Sequence, residues 1–129
     1  MRFMALLRSD PAGPGGPPPQ ALMEAMGDFV QEGFASGVLV DTGGLRAKGA
    51  RVRLSGGKVR VTDGPYAEAK EIIGGFAILN AASRAEAVEI ARRFLAVAGD
   101  GECELREICE PEQLAEFAAG RAVAETQPV

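Results

Sequence analysis

The chain has 129 residues, 47% of them hydrophobic and 25% charged, which is one domain's worth and excludes wholesale disorder. Its net charge of −4 disfavours binding driven by phosphate neutralisation, so no nucleic-acid partner is expected. The absence of histidine removes Ser-His and Cys-His nucleophile pairs and every His-ligated metal.

The opening segment, residues 2 to 8, is a strand apolar on both faces: Phe3, Ala5 and Leu7 point one way, Met4 and Leu6 the other. Its apolar run meets Arg8 too soon to form a signal h-region, and no run approaches the roughly 18 apolar residues of a membrane span. A cytoplasmic protein with no membrane partner is expected. Residues 9 to 19 hold five of the eight prolines and form an extended loop within the domain.

Residues 20 to 36 read as a helix with Leu22, Met26, Phe29, Val30 and Gly33 or Phe34 on one face, stopped by Gly37. Val38-Leu39-Val40 begins a second strand that ends near Gly44. Residues 51 to 54 and 58 to 62 flank Gly56-Gly57, a two-residue hairpin signal. That turn pairs Leu54 with Val59 and Val52 with Val61 as a face expected to be buried. It leaves Arg51, Arg53, Lys58 and Arg60 on the other face, with Arg53 across from Arg60. The basic face is either solvated or a flap that bears on an anionic ligand.

Ile72 to Leu79 is another strand apolar on both faces. Ser83 to Glu86 is a capping box opening a helix that presents Ala87, Ile90, Ala91, Phe94 and Leu95, and that stops at Gly99. Glu102 to Cys109 reads as the last strand, Pro111 starts a short helix to about Gly120, and residues 121–129 form a flexible tail. Cys103 and Cys109 in one extended strand lie ~20 Å apart, beyond the ~7 Å limit for a disulfide, so free thiols are expected.

With the hairpin read as an insertion, residues 1–120 form a single α+β domain. It is a ferredoxin-like βαββαβ antiparallel sheet with both helices on one face and a short C-terminal helix. The two-faced strands then demand a cover for the second face. The simplest is a second copy packed sheet to sheet as a homodimer; the alternative is a monomer whose terminal helix folds over the sheet.

Chemistry concentrates between the hairpin and the next strand, in Asp63-Gly64-Pro65-Tyr66-Ala67-Glu68-Ala69-Lys70-Glu71. Asp63 can accept backbone N–H bonds in the turn. Glu68, Lys70 and Glu71 fall within four positions, so on an extended chain one charged side chain points to the covered side and needs a partner. The candidate catalytic residues are Asp63, Glu68 or Glu71 as a base and Lys70 as a proton donor or charge stabiliser. Tyr66, Arg53 and Arg60 are candidate ligand contacts. Gly74 and Gly75, inside an apolar strand, mark a bulge or room for a ligand. No carboxylate spacing matches an oxygen-ligand loop, so neither metal nor cofactor is expected.

The Asp63–Glu71 segment followed by Gly74-Gly75-Phe76 resembles the signature of the DGPF branch of the YCII-related family. Its usual form is Asp-Gly-Pro-Phe-Ala-Glu-Thr-Lys-Glu; Tyr66 and Ala69 depart from it. The similarity extends to the opening strand with Met4, to Gly37-Val38-Leu39 and to Gly57-Lys58-Val59, about residues 1 to 109. The resemblance implies a dimeric α/β-barrel. It also implies encoding beside extracytoplasmic-function sigma factors and kinship with lactone isomerases and a dehydrochlorinase. The His-Asp pair ascribed to YCII proteins has no counterpart here. Three functions follow as expectations: a lyase or isomerase using carboxylates, a non-catalytic ligand-binding or regulatory dimer linked to a sigma factor, and a structural dimer whose motif is an ion-pair network.

Overall fold

The computed structural model describes residues 1–9, 19–64, 72–115 and 118–119. The proline-rich stretch, the segment 65–71 and the expected tail from 121 lie outside the described residues. The elements in chain order are β1 (Arg2–Ser9), α1 (Gln20–Ser36), β2 (Leu39–Gly44), β3 (Ala50–Ser55), β4 (Lys58–Asp63), β5 (Ile72–Asn80), α2 (Arg84–Ala98) and β6 (Glu102–Glu107).

Both helices begin and end where their local chemistry dictates. Gly37 closes α1 in the left-handed region at φ 81°, its N–H donating to the Phe34 carbonyl, a geometry that carries no Cβ penalty only for glycine. Ser83 caps α2 by accepting from the Glu86 N–H. The Glu86 carboxylate, however, accepts from the Ala82 N–H rather than from Ser83, so the expected capping box closes one residue earlier.

β2, β5, β1 and β6 form one antiparallel sheet in that order, the ferredoxin-like arrangement, while β3 and β4 form a separate two-stranded ribbon. Alternation along β1 sends Phe3 and Ala5 to the helix side. There they pack with Leu39, Leu79, Ala87 and Ile90, and Val30 of α1 adds a partly buried edge. No residue of α1 is fully buried, and Phe34 is 47% exposed, so Gly33 rather than Phe34 completes its inner face.

The paired glycines of β5 have an architectural cause. β1 pairs Leu7 with Gly75 but Arg8 with Ile73, so Gly74 is an extra residue on β5, a β-bulge. At Gly75 an added Cβ would lie 3.1 Å from the Gly43 carbonyl oxygen and 3.4 Å from Leu7 Cδ1. A backbone neighbour cannot rotate away. Gly75→Val is therefore expected to destabilise the fold by about 1–3 kcal/mol, read as a lower urea midpoint.

Three expectations need correction. The aliphatic face of the ribbon is not buried within the chain: Val52, Leu54, Val59 and Val61 are 62–72% exposed, because no helix or sheet among the described residues lies over them. β6 ends at Glu107, so Cys109 falls beyond it; neither cysteine is in a disulfide, as expected. The expected C-terminal helix does start at Pro111, but its first turn, Pro111–Gln113, is 3-10 and closed by reciprocal hydrogen bonds between Glu110 and Gln113; residues 114–115 and 118–119 are α-helical.

Candidate functional site

The sheet has two unlike faces, and the one away from the helices carries the candidate site. Met4 and Leu6 of β1 pair with Ile78 and Phe76 of β5, and all four are half-buried along the middle of this face. The Phe76 ring leans across to β2, so close that a Cβ on Gly43 would meet its Cε1 at 2.9 Å. Thr42 Oγ1 donates to the Phe76 carbonyl at 2.9 Å, fixing the backbone under the ring.

Charge borders this apolar centre along β6. Glu104, opposite Leu6, accepts from Arg8 Nη2 at 2.8 Å on one oxygen and from Arg106 Nε at 2.6 Å on the other. Arg2 forks onto Glu110 through Nε at 2.7 Å and Nη2 at 2.9 Å. Hydrogen bonds from Arg8 and then Arg106 hold the Glu104 carboxyl below its usual range, and the bond from Arg2 does the same for Glu110. A carboxylate held ionised and doubly paired is a structural ion at neutral pH and a poor general base.

The sign of the pH effect follows. A carboxyl depressed on folding contributes stability above the ordinary carboxylate range, and that contribution is lost as pH falls through the folded value. Thermal stability is thus expected to drop on acidification below about pH 4.5, and a Glu104→Gln variant to show a flatter profile there. Equal slopes for the two proteins would contradict the pairing. On the helix side, burial raises the Cys103 thiol, making it a poor nucleophile at neutral pH.

The structure places the predicted residues unevenly. Arg53 and Arg60 face each other across the ribbon, both exposed. Asp63, the last residue of β4, is exposed opposite Ala50, and no hydrogen bond or ion pair engages its carboxylate among the described residues. Next to it the Gly64 N–H donates to the Gly49 carbonyl at 2.7 Å, tying the exit of β4 to the entry of β3. Gly75 is buried, and the Gly74 carbonyl accepts from the Leu45 N–H at 2.9 Å, so this glycine pair joins β5 to the exit of β2. Tyr66, Glu68, Lys70 and Glu71 lie outside the described residues.

The Glu104 network was not among the candidates drawn from the sequence. Alternation puts Arg8 on the Met4–Leu6 face, but its partner is 96 positions away, and no local signal joins them.

An antiparallel βαββαβ sheet with both helices on one face and an inserted ribbon between the second and third strands of the repeat defines a ferredoxin-like α+β domain. More particularly, the chain matches the YCII-related domain over residues 1–112 and belongs to that family. A search of the curated proteins finds no match. Among the described residues, no helix is long and apolar enough to cross a membrane.

Proposed function

We propose that this YCII-related protein is a small-molecule-binding homodimer in which two open sheet faces meet around the ligand, as in a dimeric α/β-barrel. The observation that carries the reading is the open face itself. Met4, Leu6, Phe76 and Ile78 form an apolar stripe on the side opposite Ala87 and Ile90 of the covering helix. Such a face in water is a place where a partner or an apolar ligand gains free energy. The ion pairs of Glu104 along its border supply a polar rim of the kind that binding sites use for orientation.

The segment from Asp63 to Glu71 precedes β5 in the chain, and β5 carries Phe76 and Ile78 of this face, which supports a DGPF-type site at the junction. Catalysis, where it occurs, falls to carboxylates in this reading: Asp63, Glu68 or Glu71 as the base in a lyase or isomerase step, with Lys70 or Tyr66 stabilising charge. Two cysteines outside any disulfide are consistent with a reducing compartment.

A thermal-shift screen of small carboxylates, phenols and lactones tests the proposal. A ligand that raises the melting temperature of the wild type, and loses that effect in Glu68→Gln or Glu71→Gln, supports it. Shifts that survive both substitutions remove these carboxylates from the site.

A further inference from the structure

Among the described residues the β3–β4 ribbon is a sheet on its own, with no strand of the four-stranded sheet hydrogen-bonded to it. Its cross-strand pairs Val52–Val61 and Leu54–Val59 set four aliphatic side chains side by side, each more than 60% exposed. A lone two-stranded ribbon is marginal in water, and a contiguous apolar patch of this kind marks an interaction surface. The opposite face carries Arg51, Arg53, Lys58 and Arg60.

Charge indicates what the ribbon meets. Residues 45–62 hold six of the 14 basic residues and none of the 18 acidic ones. The rest of the chain therefore has eight basic against 18 acidic residues, a balance of −10. A surface complementary to the ribbon is acidic overall, and the remainder of this chain is such a surface. Among the described residues no helix or strand covers the aliphatic face, which points to an acidic surface on another molecule. The ribbon leaves β2 and returns into β5, rooted at one end of the sheet, and strands of this length reach ~20 Å outward. An anionic lipid surface would attract the ribbon but repel the rest of the chain, whose balance is −10.

We propose that the ribbon is an exchanged arm. Its Val52–Leu54–Val59–Val61 face lies on a second copy of this chain, reciprocally about a two-fold axis, with opposite charges on arm and body steering the encounter. The proposal builds on the homodimer reading but uses a surface separate from the open sheet face, so the two fail separately.

The test combines sedimentation equilibrium with hydrogen exchange at micromolar concentration. A Val52→Asp/Val59→Asp double variant alters only exposed positions that are not directly opposed, so the folded chain persists, as its circular dichroism reports. It is expected to weaken dimerisation by about a hundredfold or more, since two carboxylates would be desolvated. Added salt is expected to weaken the wild-type dimer. Amides of residues 50–63 are expected to exchange about tenfold more slowly in the dimer than after dilution to monomer. Unchanged association of the double variant overturns the proposal, as does equal exchange in monomer and dimer. Protection that appears only on phosphatidylserine vesicles assigns the ribbon to lipid and overturns it too. If Leu6→Asp dissociates a dimer whose ribbon is unprotected, the sheet-face reading stands and the arm falls. If the double variant dissociates it and Leu6→Asp does not, the arm stands and the sheet-face reading falls.

Discussion

Replacing Ile90 by alanine is expected to destabilise the protein by about 2–4 kcal/mol. Ile90 is 4% exposed on α2 and packs with Phe3, Ala5, Leu39 and Leu79. No residue of α1 is fully buried, so α2 provides most of the sheet's cover through Ala87, Ile90 and Ala91. A half-open apolar pocket of about 50 Å³, lined by Ile90, Phe29, Phe94 and Cys103, already borders the site. Removing three carbons enlarges that pocket rather than letting neighbours close in, which puts the cost towards the upper part of the range. Urea unfolding followed by circular dichroism measures it. Ile90→Val, removing one methylene, is expected to cost about 1 kcal/mol. A loss below 1 kcal/mol for alanine would mean that α2 does not anchor the core.

Replacing Leu6 by aspartate is expected to abolish association of the chain while leaving the monomer folded. Leu6 lies at the centre of the open face, paired with Phe76 on one side and Glu104 on the other, and is only half-buried within one chain. In the monomer the new carboxylate keeps access to water. In the proposed dimer it would be desolvated beside Phe76, with Glu104 adding like charge, a cost of several kcal/mol that exceeds the roughly 1.5–3 kcal/mol a buried leucine contributes. Sedimentation of the variant measures the assembly and far-ultraviolet circular dichroism the fold. The milder Leu6→Ala is expected to weaken association without eliminating it. A Leu6→Asp protein that remains dimeric would show that this face is not the interface.

Where the sequence spoke plainly, a local rule was at work. Gly37 ends α1 because only glycine adopts its left-handed φ cheaply, and Gly56 and Gly57, at φ 57° and 77°, make the turn that sets the ribbon's register. The two-faced pattern of β1 and β5 announces a sheet whose second face is apolar, and the register places Met4, Leu6, Phe76 and Ile78 there. What alternation cannot tell is which molecule covers an apolar face. Val52, Leu54, Val59 and Val61 read as a core face from their spacing, yet stand exposed in the single chain. Gly74 and Gly75 were consistent with either a bulge or room for a ligand; pairing with β1 makes Gly74 the bulge. The Arg8–Glu104–Arg106 network depends on the topology that joins the two ends of the chain, which no local spacing encodes. Of the candidate site, the flanking Arg53, Arg60, Asp63, Gly74 and Gly75 are placed.

The central claim is that a second copy covers the open sheet face, and sedimentation equilibrium of the wild-type protein at micromolar concentration tests it most directly. The account predicts a single species of twice the chain's mass, converted to the chain's own mass by Leu6→Asp. A wild-type protein that sediments as a monomer under those conditions would contradict it.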